Sequence, residues 1–276
     1  MSKNNYIKKL KGYVDWVFVE TLKINLNSPE TRIASSLSPI EIFVSLFYGG
    51  VLKYFPSNPL NTQRDRLIIS KGHGSICLYP ILADLGFIKK SELSKICKKG
   101  GILGGIPDPI IPGYETINGS LGHGLGVGTG IALALKRKKK NNSVFIICGD
   151  GELNEGSCWE AIMFAGHHKL DNINLIIDNN SISMLGYSKD IINLNVIADK
   201  FKCFGWHTSE VDGHSVDNVN HTLKKLKSTF NKKPKVIIAN TIKGRGINDL
   251  SNKPLSHVLN PNRSNIEKII KNYEEN

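Results

Sequence analysis

Apolar and polar positions along this chain follow two different periods, and each switch between them marks an element. Over 5–25 (NYIKKLKGYVDWVFVETLKIN) apolar residues recur at helical spacing, and 39–54 (PIEIFVSLFYGGVLKY) predicts a second helix. A loop rich in Pro and Asn, FPSNPLNTQRDR, leads to a short strand at Leu67–Ser70. A Gly-rich turn, KGHGS, and a helix from about Ile76 to Leu85 follow. The stretch 100–130, rich in Gly and Pro, predicts loop until Leu125–Lys136 turns helical. Val144–Cys148 is an apolar strand ending in Gly149-Asp150-Gly151, and a helix runs from about Gly156 to His168 with Trp159, Ile162, Met163 and Phe164 near helical spacing. Ile173–Ile177 is the next strand, ending in Asp178-Asn179-Asn180. Lys235–Thr241 (KVIIANT) reads as another buried strand and Ile266–Tyr273 as a terminal helix. Apolar strands alternating with helices predict an α/β fold, a three-layer sandwich whose central, mostly parallel sheet is covered on both faces. No linker divides the chain, so 1–276 reads as a single domain with 261–276 as a peripheral helix.

Composition narrows the classes. With 40% apolar and 22% charged residues, the chain can build a sizeable core and does not resemble a disordered polypeptide. It contains no unbroken apolar run of bilayer length, and its start lacks a signal peptide's apolar stretch, so a soluble cytoplasmic protein without a membrane partner is expected. Cys77, Cys97, Cys148, Cys158 and Cys203 form no C-x-x-C pair, which favours reduced thiols over a disulfide framework or a zinc site. The net charge of +12 raises nucleic-acid binding as a reading. The basic runs at 136–140 and 224–233 lack interleaved aromatics, however, so a solvated or anion-attracting surface is expected instead.

The chemistry concentrates where two successive strands end. In parallel α/β sheets ligands bind beyond the carboxyl ends of the strands. Asp150 and Asn180 lie thirty positions apart with one helix between them, the span of a single β-α-β unit. Mg²⁺ prefers six oxygens in an octahedron, often including phosphate oxygens. Asp150 offers a carboxylate, Asn180 an amide oxygen, and the backbone just after Asn180 a carbonyl, leaving room for a diphosphate and water. Gly149 and Gly151 let the chain approach that diphosphate without an intervening side chain.

The segment GDGELNEGSCWEAIMFAGHHKLDNINLIIDNN resembles the thiamine diphosphate motif, which opens with Gly-Asp-Gly and closes about thirty residues later at an Asn. The resemblance runs from about residue 28 to 258 and is nearest to the N-terminal portion of transketolases, particularly those split into two polypeptides. LIISKGHGSICLYPILADLGF, INGSLGHGLGVGTGIALALK, FGWHTSEVDGH and KPKVIIANTIKGRG are similar to that family's landmarks. The resemblance implies the thiamine diphosphate-binding fold, thiamine diphosphate with Mg²⁺ (or Ca²⁺ or Mn²⁺) as cofactors, and transfer of a two-carbon ketol unit from a ketose donor to an aldehyde acceptor. It further implies a second, C-terminal-type subunit carrying the pyrimidine-binding domain, in a heterotetramer, with sugars or sugar phosphates as substrates.

The residue roles that follow are those the resemblance implies. Asp150, Asn180 and the Ile182 carbonyl bind the metal, with Gly149 and Gly151 beside the diphosphate. His73 lies next to the cofactor and the substrate channel, and His257 contacts the diphosphate or substrate, although Ser256 stands where the family has Trp. Gly119 and Leu121 face the aminopyrimidine, and Met184 packs against the thiazolium ring. Glu155 and Glu160 reach the subunit interface and join a shared carboxylate network, in which one carboxyl keeps its proton. The glutamate that activates the cofactor belongs to the partner. His123 stands where the family often has Gln. His167, His168, His207, His214 and His221 read as structural or exposed. Arg32 and Ile106 occupy positions where transketolases place channel histidines that bond sugar hydroxyls, so an altered substrate is expected. Two other readings stay open. One is a thiamine diphosphate-dependent decarboxylase or carboligase acting on a 2-oxo acid, which assays with pyruvate and a ketose phosphate would separate. The other is a non-catalytic cofactor-binding relic.

Overall fold

The computed structural model describes residues 2–117 and 119–275. Five strands form one sheet: β1 Arg66–Ile69, β2 Val144–Gly149, β3 Ile173–Asn179, β4 His207–Asp212 and β5 Lys235–Asn240. Their order is β1-β2-β3-β5-β4 and every pairing is parallel, with Val144 opposite Ile173 and Leu175 opposite Val236. Ten α-helices accompany them among the described residues: α1 Lys3–Asn27, α2 Ala34–Leu37, α3 Ile40–Phe47, α4 Leu78–Asp84, α5 His123–Arg137, α6 Gly156–His167, α7 Ser188–Ile191, α8 Ile197–Cys203, α9 Val216–Lys227 and α10 Arg263–Glu274.

Strand residues alternate between two cores because successive side chains leave a strand on opposite faces. Phe145, Ile147, Ile176 and Ile237 pack with α1, α3, α4, α9 and α10 on one face. Ile146, Cys148, Leu175, Ile177 and Ile238 pack with α5, α6 and α8 on the other. This is the three-layer α/β arrangement that the apolar runs predict. Among the described residues no helix is long and apolar enough to cross a membrane. All five cysteines are free.

The structure departs from the pattern in three places. The second helix stops at Phe47 rather than near 54, because Gly50 takes the left-handed φ +67 that ends a helix. The strand β4 has no apolar run, since HTSEVD is an edge strand of partly exposed residues that gives little periodic signal. The basic run beginning at Lys224 proves to be the end of α9, whose last turn carries Lys224, Lys225 and Lys227, as the last turn of α5 carries Lys136 and Arg137. Cations there complement the partial negative charge of helix C-termini. Two also pair locally, Lys136 with Asp171 at 2.6 Å and Lys227 with Asp65 at 2.7 Å. The basic runs thus have a structural role at the amino end of the sheet.

Candidate cofactor site

The carboxyl ends of β1, β2, β3 and β5 deliver the polar residues that matter. Asp150 follows β2, with only 5% of its surface exposed, and its Oδ2 accepts from Ser188 Oγ at 2.8 Å. Burial pushes its carboxyl up, an effect the Ser188 hydroxyl opposes. Asn180 follows β3 and is likewise buried; its Oδ1 accepts from the Ile182 N–H at 3.2 Å, which pins the turn carrying the Ile182 carbonyl. Ser181 takes φ +60, and the Ile182–Tyr187 bridge closes the loop beyond it. Gly149 and Gly151 keep the approach open, since a Cβ on Gly149 would meet only Lys71 Cδ at 4.0 Å.

Two buried lysines face this edge. Lys71, just past β1, is paired with Asp178 on β3, and both are almost wholly buried. Burial alone would raise the Asp178 carboxyl, but the Lys71 ammonium and donors from Ser38 Oγ (2.6 Å) and Thr241 Oγ1 hold it below the usual carboxylate range. Lys243, four per cent exposed, makes no direct ion pair among the described residues, although Asp150 and Asp178 lie close enough to favour its charge; its Nζ donates to the Ile182 carbonyl at 3.4 Å. Burial, reinforced by Lys71, pushes its amine down to about 8. A buried ammonium that no carboxylate touches directly is costly unless an anion comes to it. The donor set therefore fits a diphosphate and a hard cation: one carboxylate, one amide oxygen and one carbonyl for the metal, and a buried lysine without a direct ion pair for the phosphate.

His73 and His257 stand edge to face, ring centroids 5.1 Å apart, and His257 Nδ1 lies 3.1 Å from Ser35 Oγ. Both are held neutral. Burial, then Lys71 and His257, drive His73 well below the usual imidazole range. Burial, then Lys243 and Arg32, bring His257 down to about 4. Arg32 is thus near His257; it is exposed, with φ +34 in the left-handed region. The loop carrying Ile106, 48% exposed, abuts the same turn, for a Cβ on Gly105 would lie 4.0 Å from Glu30 O.

The remaining predicted residues differ in exposure. Leu121 is half-buried, and Gly119, His123 and Met184 are exposed. Glu155 occupies the N-cap position of α6 without a side-chain capping bond, and Glu160 lies on the outer face of that helix, on the same side as the exposed Met163 and Phe164. Gly126, Val127 and Gly130 of the adjoining α5 are exposed too.

Sequence reasoning missed Lys71, Asp178, Lys243 and Glu152. Both lysines sit beside a glycine just past a strand, in SKGHG and TIKGRG, and that pattern was the signal to follow. Glu152, within GDGE, is buried; its carboxylate accepts from Ser70 Oγ, Gly122 N (2.9 Å) and Gly149 N (3.2 Å). It ties the glycine loop before α5 to the motif after β2. Gly122 itself takes φ +83, and a Cβ there would meet Glu155 Cβ at 2.7 Å.

Comparison with known proteins agrees with this geometry. The family described as "Transketolase, thiamine diphosphate binding domain" matches residues 33–273. The chain belongs to that family. It is 34% identical over 244 residues to one subunit of the apulose-4-phosphate transketolase of Phocaeicola vulgatus, covering 88% of this chain and 86% of the relative. It is 37% identical over 227 residues to one subunit of the 6-deoxy-6-sulfo-D-fructose transketolase of Clostridium sp. (strain MSTE9), covering 82% of each. The crystal structure of transketolase from Campylobacter jejuni matches with a TM-score of 0.80 at 29% identity, covering 93% of this chain but only 43% of that one.

Proposed function

We infer that this chain is the diphosphate-binding subunit of a split transketolase, which transfers a two-carbon ketol unit between sugar phosphates together with a partner polypeptide. The observation that carries this reading is the buried Lys243, which makes no direct ion pair, bonds the Ile182 carbonyl and feels the Asp150 carboxylate. Thiamine diphosphate, when bound, supplies a nucleophilic carbon that takes up the ketol unit and releases it to an aldehyde. The chain's residues bind and orient. Asp150, Asn180 and Ile182 O would hold the metal, by their hard oxygen character Mg²⁺, with Ca²⁺ or Mn²⁺ as substitutes. Lys243, Gly149, Gly151, His73 and His257 would surround the diphosphate. Neutral His73 and His257 can each donate or accept one proton at a substrate hydroxyl. Gly119, Leu121 and Met184 would meet the organic rings.

The partner would cover the outer faces of α5 and α6. Val127 on α5 and Met163 and Phe164 on α6 are each more than 40% exposed, the latter two on the same side of α6 as Glu160. An apolar face of this kind next to an acidic side chain suits a protein interface, with Glu155 and Glu160 at its edge. A heterotetramer of two such chains and two partners, in the cytoplasm, completes the proposal. The two relatives bear the names of apulose 4-phosphate and 6-deoxy-6-sulfo-D-fructose, neither of them a pentose phosphate route ketose. Arg32 and Ile106 give this chain a charged and an apolar group at the channel, which supports a similarly non-standard substrate. The test is a ketol-transfer assay on this chain, on its partner and on the mixture. Activity is expected only in the mixture, with thiamine diphosphate and Mg²⁺ present; activity of the chain alone would refute the split arrangement.

A further inference from the structure

His214, two residues past β4, has no place in the site just described, yet its ring is largely buried, with 11% of its side chain exposed. Nε2 accepts from the Ile242 N–H at 2.8 Å. A ring nitrogen accepts only when it carries no proton, so the proton of the neutral ring is on Nδ1, facing Glu41 Oε2 at 3.3 Å. Glu41, on α3 and 2% exposed, pairs through its other oxygen with Arg245. Asp212 Oδ1 accepts from the His214 N–H at 2.9 Å. An imidazole, rather than a carbonyl, therefore receives the N–H of Ile242, the residue directly before Lys243. The backbone around Lys243 has three further holds: Thr241 N–H donates to Asn179 O at 3.0 Å, and Gly244 N–H donates to Ala34 O and Lys243 O accepts from Asn252 N–H, each at 2.9 Å. His214 is the hold at Ile242, between the one on β3 and those past Lys243, and it links this segment to α3 and β4.

We propose that His214, oriented by Glu41, is a positioning residue that sets the path of Thr241–Lys243 and so aims the Lys243 ammonium at the diphosphate. The proposal rests on the cofactor reading given above. His214 borders a cavity of about 540 Å³ shared with Lys11, Asp15, Asp217 and Arg245. A smaller side chain at 214 can therefore be replaced by water, which satisfies the Ile242 N–H without fixing its direction.

The experiment is a double-mutant cycle on the complete two-subunit enzyme, reading thiamine diphosphate affinity at saturating Mg²⁺. His214→Ala weakens binding about fivefold, the worth of one net hydrogen bond. His214→Gln, which can accept from Ile242 and donate to Glu41, recovers most of that loss. Lys243→Met weakens binding more, and in its background His214→Ala adds nothing. Glu41→Gln gives the same pattern as His214→Ala and serves if that variant does not fold. Equal losses in both backgrounds, or unchanged affinity in the single variants, overturn the proposal. A wild-type complex that does not bind thiamine diphosphate would instead defeat the cofactor reading itself.

Discussion

Replacing Lys71 by Met tests whether the buried pair beneath the site serves stability, ligand binding or both. Lys71 and Asp178 are 1% and 0% exposed, so their attraction is little screened. Lys71→Met keeps the aliphatic stem and leaves Asp178 with only the donors from Ser38 and Thr241. Removing one partner of a buried pair costs about 3–5 kcal/mol. For a domain of this size each kcal/mol moves the midpoint by about 2–4 °C, so thermal unfolding falls by about 10 °C. Asp178→Leu, which strands the ammonium instead, costs a similar amount. The double variant Lys71→Met/Asp178→Leu has neither charge to leave unpaired. It regains at least about 2 kcal/mol over the sum of the singles, since a well-packed apolar pair often equals a buried ion pair in stability. The double variant nevertheless fails to restore thiamine diphosphate affinity, because the positive wall behind the diphosphate is gone. Calorimetric unfolding and ligand titration on the four proteins decide the matter. Additive stability losses, or a Lys71→Met cost below about 1 kcal/mol, would refute the electrostatic reasoning.

Further outcomes follow from the same structure. Glu152→Gln, which turns an acceptor toward donors into an amide, lowers stability by about 2 kcal/mol and loosens the Gly122 and Gly149 loops, measurable by hydrogen exchange at those amides. Lys235 lies far from the cofactor edge, at the start of β5, and burial pushes its amine down to about 8. A folded-state value depressed below the unfolded one means that the charged form opposes folding at neutral pH and that stability rises as the pH climbs through about 8. Lys235→Met is therefore more stable than wild type at pH 7, with the gain fading above about pH 8 in chemical unfolding curves. Arg32→His with Ile106→His shifts the reconstituted enzyme toward xylulose 5-phosphate and ribose 5-phosphate in kcat/KM. Equal kcat/KM before and after would leave Arg32 and Ile106 without a role in specificity.

The fold was readable wherever burial was two-sided. β1, β2, β3 and β5 carry continuous apolar runs because helices cover both faces of the sheet, and the order of elements then requires parallel pairing. β4 escaped because an edge strand can be polar and still pair through its backbone. In the site, Asp150 and Asn180 were legible because their spacing matches one β-α-β unit, with glycines on either side of Asp150. Lys71 and Asp178 were not, since a partnership across 107 positions has no local pattern. His214 read only as structural or exposed for the same reason. Its partners lie 173 positions before it and 28 after it, and only the sheet order brings them together.

The most direct test of the central claim is a calorimetric titration of thiamine diphosphate, with Mg²⁺, into the complex of this chain and its partner. It is run on wild type and on Asp150→Ala, with thermal unfolding of both recorded alongside. The account predicts saturable binding by wild type that chelation of the metal abolishes. It predicts no measurable binding by Asp150→Ala, whose unfolding midpoint stays at or above that of wild type because a buried carboxylate has been removed. Equal affinity in the two proteins would contradict the assignment of the metal and diphosphate site.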